Sequence, residues 1–315
     1  MHYRPLGRTG LTVSALSLGT VSLGVDYGIE APGDFGRPDE ADAIRLLRAA
    51  VDRGVTLIDT APTYGDGERL VGRAVGGDPR VMIATKAGSA LHEQPGALRG
   101  PALRASLMAS IEQSRRAFGR DAIDILQFHN ATAGLIEDGE VTDVLLDAKR
   151  RGLIRVLGAS VLSPAAALAA IASGQYETLQ VAFSALDQRM ARDVMPAARA
   201  AGVGVIVRSA FLKGALTPKA QWLPESLAPV RAAALRARDA LAGGEWDRLP
   251  AAAMRFCLST PGIASVLSGP RTIAELEAAV EAEAAGPLDA PALAGAERLA
   301  LTDERLLDPW KWPVP

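Results

Sequence analysis

Short runs of apolar and β-branched residues recur along the chain, and longer segments with helical periodicity lie between them. Eight such runs occur, and each is followed by a turn and then by a segment that favours a helix. The runs are apolar throughout, which is typical of strands buried on both faces of a parallel sheet. They span 15–21, 56–61, 81–87, 122–129, 154–160, 178–184, 202–209 and 263–269.

The segments between the runs carry apolar residues at the spacing of one helix face. In 39–53, five apolar residues from Ala43 to Val51 form a stripe, as expected for a helix that packs against a sheet. Gly54 and Gly202 follow two of these segments, where a helix C-terminal cap is expected. We predict helices over 39–53, 101–118, 140–151, 164–173, 190–201, 249–259 and 272–285.

Eight strand–helix units in succession predict a closed parallel (β/α)8 barrel, the TIM-barrel architecture, as a single domain over residues 1–315. The alternative is an open doubly wound sheet. It is disfavoured because no GxGxxG motif follows the first run.

Three segments lie outside the eight predicted strand–helix units. The opening residues predict a short hairpin that turns at Thr9-Gly10. The segment 210–248 follows the seventh run and includes a predicted helix at 228–242. The segment 287–315 adds a further helix and a Pro-rich tail. Long loops in compact domains are usually functional, so the last two segments, with the loop 22–38, are expected to form the substrate pocket.

Composition excludes several classes of protein. The chain has 315 residues, 49% of them hydrophobic, which is too apolar for disorder and enough for a large core. Lys+Arg number 34 and Asp+Glu 36, so a net charge of −2 provides no electrostatic basis for binding nucleic acid or an anionic membrane. Cys257 is the only cysteine, and no signal peptide or transmembrane segment is expected, which favours a cytoplasmic protein.

Titratable side chains fall at the ends of three consecutive predicted strands. Asp59 ends the second run, Lys86 the third and His129 the fourth, and Tyr64 lies five residues after Asp59. Active sites of such barrels lie at the carboxyl ends of the strands, so the four side chains are expected at one rim. Each alone could be structural, as a cap, a packed ring, a rim charge or a core histidine. Together they favour a catalytic site, because burying an unpaired Asp or Lys is costly.

These four residues allow two chemistries. A buried Asp59–Lys86 pair would place an ammonium beside Tyr64, where it favours the phenolate and makes the phenol a better acid. His129 would then orient a substrate carbonyl or relay a proton. The alternative is a lyase in which Lys86 forms a Schiff base with the substrate. No metal site is expected, because the chain has no CxxC and its three histidines are not at metal-ligand spacing.

The segments GVTLIDTAPTYGDGERLVGRAV (54–75), IATKAG and DILQFHN resemble the aldo-keto reductase family, in the order in which that family has them. The resemblance extends from LGRTGLTVS to the helical segment at 269–285. It implies that Asp59, Tyr64, Lys86 and His129 form a catalytic tetrad, with Tyr64 as general acid in reduction and base in oxidation. A nicotinamide coenzyme would supply the hydride, since no side chain can do so.

The resemblance also implies that NAD(P)H lies across the barrel mouth without a Rossmann motif. Ser160 and Gln180 would hold the carboxamide, the loop 208–216 would embrace the pyrophosphate, and 268–272 would begin the adenosine-phosphate site. Arg208 stands where the family often stacks an aromatic ring on the nicotinamide. The coenzyme residues implied are Gly19, Thr20, Asp59, Ser160, Gln180, Arg208, Ser209, Phe211, Gly214, Gly269, Arg271 and Glu275.

Two of these residues bear on coenzyme choice. Arg271 would pair with the 2′-phosphate of NADP(H). Glu275, one helical turn later, would repel that phosphate. On balance NADP(H) is slightly favoured over NAD(H).

The function predicted is a hydride transfer between nicotinamide and a small aldehyde, ketone or sugar. The alternative from another class is a coenzyme-sensing regulatory protein with the same fold. A monomer is the default for a closed barrel, and an oligomer stays open as the alternative. All four tryptophans, Trp222, Trp246, Trp310 and Trp312, fall in the late extra segments, where they either wall the substrate pocket or pack the tail against the barrel.

Overall fold

A computed structural model describes residues 1–92, 94 and 96–314, and in it eight parallel strands close into a barrel with helices between them. Two further strands form an antiparallel hairpin at the N-terminus. The hairpin strands are β1 (Tyr3–Pro5) and β2 (Thr12–Ser14). The barrel strands are β3 (Leu16–Gly19), β4 (Leu57–Asp59), β5 (Met82–Ala87), β6 (Ile123–Ala131), β7 (Ile154–Val161), β8 (Thr178–Ala182), β9 (Gly204–Arg208) and β10 (Ile263–Ser268).

Helices follow the barrel strands, and short 3-10 turns lie in the connecting loops. The α-helices are α1 (Val21–Gly24), α2 (Glu40–Asp52), α3 (Gly67–Val75), α4 (Gly100–Phe118), α5 (Ala133–Asp138), α6 (Glu140–Arg150), α7 (Pro164–Ser173), α8 (Val194–Ala200), α9 (Ala228–Ala242), α10 (Leu249–Ser259), α11 (Ile273–Ala284) and α12 (Ala290–Glu297). The 3-10 turns are Gly7–Thr9, Ser89–His92, Leu212–Gly214, Pro218–Trp222, Glu225–Leu227, Trp246–Arg248, Glu304–Leu307 and Pro309–Lys311.

The barrel closes in chain order, as the sequence predicts. Each strand from β3 to β9 pairs with the next, and β10 closes the ring between β9 and β3. At the closure, Val266 of β10 is in register with Leu16 of β3. The open-sheet alternative is therefore excluded, and the predicted N-terminal hairpin and extra helices α9 and α12 are confirmed.

Several predicted elements end elsewhere than the pattern indicates. The run 56–61 forms a strand over only Leu57–Asp59, because the chain turns after Asp59 toward the rim. The predicted helix 190–201 is shortened to Val194–Ala200. Helix α3 (Gly67–Val75), which was not among the predicted helices, lies between the second and third barrel strands.

Alternation along the strands decides which side chains point into the barrel. Leu57, Ala84 and Ile125 belong to one buried cluster inside the ring, whereas their neighbours, such as Ile58, pack outward against helices. Successive side chains of a strand point to opposite faces, so residues two or four positions later point inward again. Asp59, Lys86, Gln127 and His129 occupy those positions, and the polar rim is thus built on an apolar barrel floor.

The N-terminal hairpin covers the opposite end of the barrel. Leu6 is fully buried in the interior cluster, and the backbone of Arg8 donates to the Gly202 carbonyl at 2.6 Å. A Cβ at Gly7 would overlap the backbone nitrogen of Gly204, so the chain approaches too closely there for any other residue. The amino ends of the strands are closed, and the carboxyl ends remain for a site.

No helix in the described part of the chain combines the length and apolar character needed to cross a membrane.

Candidate active site

Three strand ends and one loop bring the predicted catalytic side chains to one rim. Asp59 ends β4, Lys86 is the next-to-last residue of β5, and His129 lies near the end of β6. Tyr64 lies in the tight connection between β4 and α3, where its N–H donates to the Ala61 carbonyl at 3.0 Å. Residues separated by up to 70 positions thereby share one site.

Asp59 and Lys86 form a buried ion pair. Lys86 Nζ donates to Asp59 Oδ1 at 2.6 Å and to the Thr60 carbonyl at 2.7 Å, and the two residues are 1% and 3% exposed. Burial by itself lowers the pKa of Lys86, but the Asp59 carboxylate and Tyr64 more than reverse this, so the pKa is raised above its ordinary value. Lys86 is therefore a permanent ammonium at neutral pH.

The second carboxylate oxygen of Asp59 accepts from two glutamines. Gln127 Nε2 lies 2.9 Å and Gln180 Nε2 2.8 Å from Asp59 Oδ2. Both oxygens of the carboxylate are thus hydrogen-bonded. Gln127 was missed by the sequence interpretation, although its position two residues before His129 on the same strand places it on the same face.

Tyr64 lies between the ammonium and the histidine. Lys86 Nζ is 4.7 Å from the centroid of the Tyr64 ring. The rings of Tyr64 and His129 are 6.3 Å apart and nearly perpendicular, at 85°. Lys86 is sealed from solvent, whereas Tyr64 is half-buried and so can be reached by a ligand.

Two glycines fix the position of Tyr64. A Cβ at Gly24, at the end of α1, would overlap the Tyr64 carbonyl oxygen. Gly65 has φ of 52°, the left-handed region that favours glycine, and a Cβ there would overlap the Gly24 carbonyl. The first loop of the barrel is therefore packed against the backbone that carries Tyr64.

The predicted coenzyme residues at the ends of the first, fifth and sixth barrel strands reach the same rim. Thr20 donates through both its N–H (3.0 Å) and its hydroxyl (3.1 Å) to the carbonyl of Asp59, so it anchors the strand that carries the carboxylate. Ser160 Oγ donates to Gln180 Oε1 at 3.4 Å. Gly19 is in register with Asp59. These residues form one network around Asp59.

The loop after β9 contains several residues with positive φ. Ser209 (φ 61°), Leu212 (φ 45°) and Lys213 (φ 57°) have positive φ although none of them is glycine, and Gly214 has φ of 102°. A change between right- and left-handed backbone, as at Ser209, can direct N–H groups toward an anion such as a pyrophosphate. Phe211 lies within this loop and is half-buried.

Arg208 is an unpaired cation at the rim. Its guanidinium crosses the end of β8 and donates to the Val161 carbonyl and to Ser209 Oγ, both at 3.2 Å. Its Cζ lies 5.5 Å from the centroid of the Trp310 ring. Among the described residues no carboxylate lies within ion-pair distance of Arg208. Burial lowers its pKa, and Tyr64 and Tyr27 oppose that shift.

The predicted adenosine end lies at the start of α11. The Gly269 carbonyl accepts from Ser22 Oγ at 3.0 Å, which joins the tenth strand end to the first loop. Arg271 forms an ion pair with Asp34, and its backbone N–H donates to Glu275 Oε2 at 2.6 Å. Arg271 and Glu275 are thus in direct contact, and Arg271 is already paired.

The four tryptophans separate into different environments. Trp310 lies against Arg208 at the rim, where it remains a candidate for the pocket wall. Trp312 is buried in the main core, and Trp246 packs against Arg238 of α9. Trp222, at the end of a 3-10 turn, is 43% exposed. The late tryptophans therefore do not form one surface.

Comparison with known proteins is consistent with this arrangement. The chain is 32% identical over 226 residues to the aldo-keto reductase YhdN of Bacillus subtilis, a match that covers 70% of this chain and 65% of that relative, just under two thirds of its length. It is 30% identical over 228 residues to the NADH-specific methylglyoxal reductase of Escherichia coli, covering 68% of each chain. It is 28% identical over 296 residues to L-galactose dehydrogenase of Arabidopsis thaliana, covering 90% of this chain and 88% of that one.

A solved structure has the same fold. The holo form of the aldo-keto reductase AKR11C1 from Bacillus halodurans superposes with a TM-score of 0.78 at 26% identity, over 96% of this chain and 97% of that chain. The family model described as Aldo/keto reductase family matches residues 15–299. The chain therefore belongs to the aldo/keto reductase family, oxidoreductases that act on carbonyl compounds with a nicotinamide cofactor.

Proposed function

We propose that this protein transfers a hydride between a nicotinamide coenzyme and a small aldehyde, ketone or sugar, with Tyr64 as the proton donor in reduction and the acceptor in oxidation. The observation that carries the proposal is the buried Lys86 ammonium, held by Asp59 and 4.7 Å from the centroid of the Tyr64 ring. A fixed positive charge at this place stabilises negative charge on the phenolic oxygen as its proton leaves.

Asp59 acts through Lys86 rather than on the substrate. Its carboxylate holds the ammonium at 2.6 Å, and the two glutamine amides hold the carboxylate. The network keeps both charges in place while Tyr64 gains or loses its proton. Because these dipoles and charges are preorganised, they need no rearrangement during the reaction.

His129 is proposed to orient the substrate carbonyl toward Tyr64. Its ring stands nearly perpendicular to that of Tyr64 at 6.3 Å, so the two side chains border one space at the rim. A carbonyl oxygen in that space can accept from the Tyr64 hydroxyl and be directed by the imidazole at the same time.

The residues at the rim fit a nicotinamide coenzyme. The buried Ser160–Gln180 pair offers the donor and acceptor groups that a carboxamide needs, and the left-handed loop around Ser209 offers backbone donors to a pyrophosphate. When bound, the coenzyme supplies or accepts the hydride. The relatives include an NADH-specific methylglyoxal reductase and an L-galactose dehydrogenase, which supports both a small carbonyl compound and a sugar as substrate classes.

The Schiff-base alternative for Lys86 is disfavoured by its surroundings. A Schiff base requires a neutral amine that a substrate can reach. Lys86 is 1% exposed, donates to Asp59 and Thr60, and has a raised pKa. These properties suit a permanent charge better than a nucleophile.

The test is Tyr64→Phe, with Tyr3→Phe as the matched control at an exposed tyrosine remote from the rim. Loss of the general acid is expected to lower kcat by about 10²- to 10⁴-fold, whereas the Kd for coenzyme stays within about twofold. Tyr3→Phe should leave both unchanged.

Full activity of Tyr64→Phe would refute the mechanism. Tight coenzyme binding by the unaltered protein, with no turnover over a broad panel of carbonyl compounds and sugars, would instead favour the coenzyme-sensing regulatory function.

A further inference from the structure

The loop after the first barrel strand is tied to two other loops of the rim through Asp34. Lys219, in the segment after β9, donates from Nζ to the Asp34 carbonyl at 2.8 Å and lies 3.2 Å from Asp34 Oδ1. Arg271, after β10, forms an ion pair with the same carboxylate and donates from Nη1 to the Gly36 carbonyl at 3.1 Å. Asp34 thus joins three segments that are distant in sequence.

Groups of the protein itself already engage the Arg271 guanidinium. Its guanidinium contacts Asp34 and lies 3.6 Å from Glu275 Oε1, and its backbone N–H donates to Glu275 Oε2 at 2.6 Å. The side chain is only 12% exposed. Thr272 Oγ1 caps α11 by accepting from the N–H of Glu275, which fixes Glu275 beside Arg271.

The charges at this place sum to zero, with Lys219 and Arg271 positive and Asp34 and Glu275 negative. Burial alone would raise the pKa of Asp34, but hydrogen bonds from Arg271 and Lys219 more than offset it, so the pKa is lowered. Asp34 is therefore ionised at neutral pH, and it stays as a competitor for both cations.

We propose that Asp34 makes this protein selective for NAD(H) over NADP(H), because it occupies the arginine that a 2′-phosphate would need. The inference rests on the proposed function, in which Arg271 lies at the adenosine end of the coenzyme. A phosphate monoester carries a charge of about −1.5 to −2 at neutral pH, so it must displace Asp34 and also approach Glu275. The ribose hydroxyl of NAD(H) is uncharged, so it neither has to displace Asp34 nor is repelled by Glu275, and it can donate to a carboxylate. The preference is the reverse of the one that the sequence favoured.

The experiment measures the Kd of the full-length protein for NADH and for NADPH, by calorimetric titration, in the unaltered chain and in Asp34→Asn. The unaltered chain is expected to bind NADH at least about tenfold more tightly than NADPH. Asp34→Asn keeps the shape of the side chain and removes its charge, which releases Arg271. It should tighten NADPH binding by about tenfold or more and change NADH binding by about threefold at most.

Asp26→Asn is the matched control. Asp26 lies in the same loop and accepts from the backbone N–H of Arg37 at 2.9 Å, and the contacts of Arg271 do not include it. This variant removes one negative charge from the loop and should leave the NADPH-to-NADH ratio unchanged. The double variant Asp34→Asn/Arg271→Gln should lose the gain in NADPH affinity, because the released guanidinium is then absent.

The outcomes separate the inference from the proposed function. Failure of both coenzymes to bind would overturn the proposed function and this inference together. Binding of NADH with an Asp34→Asn variant that gains no NADPH affinity would overturn the inference alone, as would an unaltered chain that prefers NADPH. A gain shared equally by Asp26→Asn would show a general effect of charge and would also overturn the assignment to Asp34.

Discussion

Asp59 and Lys86 are two buried charges, and their ion pair compensates each of them for the loss of water. The carboxylate accepts from Lys86, Gln127 and Gln180, and the ammonium also donates to the Thr60 carbonyl. Removing one partner of a buried pair leaves an uncompensated charge, which costs more than the pair itself contributes.

Lys86→Met is therefore expected to lower the free energy of unfolding by about 3–5 kcal/mol and to abolish turnover. Urea denaturation followed by circular dichroism measures the first effect. Lys311→Met is the control, because the Lys311 ion pair with Asp308 lies at the surface and should contribute about 1 kcal/mol or less. Equal losses in the two variants would contradict the role given to the buried pair.

The raised pKa of Lys86 also predicts how stability depends on pH. A group whose pKa is higher in the folded state contributes its full stabilisation below its unfolded pKa, here the ordinary value of 10.5, and loses it as the pH rises through the folded value. The difference in unfolding free energy between the unaltered chain and Lys86→Met should be constant between about pH 7 and 9 and shrink above about 10.5. A decline already between pH 7 and 9 would contradict the raised pKa.

Among the elements, the tight connections at the carboxyl ends of the strands determine where the proposed catalytic groups lie. The α1 turn packs on the segment that carries Tyr64, with Gly24 at the contact. Asp34, farther along the same loop, is held by Lys219 and Arg271. One loop therefore meets both the proposed proton donor and the proposed adenosine end.

Gly24→Ala is expected to displace Tyr64, because the added methyl group would overlap the Tyr64 carbonyl oxygen. We expect a fall in kcat of about tenfold or more together with a loss of stability of about 1–3 kcal/mol, the usual cost of overpacking. Steady-state kinetics and thermal unfolding measure the two effects. Gly77→Ala is the control, since no heavy atom lies within 4 Å of its added Cβ. Normal kinetics in Gly24→Ala would contradict the role given to Gly24 in positioning Tyr64.

On the scale of the whole molecule, the N-terminal hairpin closes one end of the barrel and the C-terminal tail lies at the other. Lys213 Nζ donates to the carbonyls of Pro309 (3.2 Å) and Val314 (2.8 Å), which holds the tail against the loop after β9. Trp312 of this tail joins the main core. We propose that residues 1–315 form one domain, in which the tail unfolds together with the barrel.

Two tryptophans two residues apart test the role of the tail. Trp312 is 6% exposed, so Trp312→Ala should lower the free energy of unfolding by about 3–5 kcal/mol in a single transition. Trp310 is 46% exposed and its ring lies beside Arg208 at the rim. Trp310→Ala should therefore lower the free energy of unfolding little and alter KM for the substrate. Denaturation curves and steady-state kinetics distinguish them, and a separate early transition of the tail would contradict the single domain.

The local sequence pattern was sufficient to predict the fold and most of the residues at the rim. Continuous apolar runs, separated by helical segments, determine strands buried on both faces, and eight such units in order leave few arrangements other than a closed barrel. Asp59, Lys86 and His129 were found because strand ends meet at one rim whatever the details of packing. Strand bounds were overestimated where apolar residues continue into turns, as after Asp59.

Only the tertiary structure decided which side chains form hydrogen bonds and ion pairs with the site residues. Gln127 and Gln180 reach one oxygen of Asp59 from strands 68 and 121 residues away, and nothing in the local pattern specifies that contact. Arg271 could be interpreted from sequence as a free cation for a phosphate, but it meets Asp34, 237 residues away. The physical reason is that periodicity along a chain reports which face a side chain points to, whereas the charge it meets there depends on how distant segments close around the barrel.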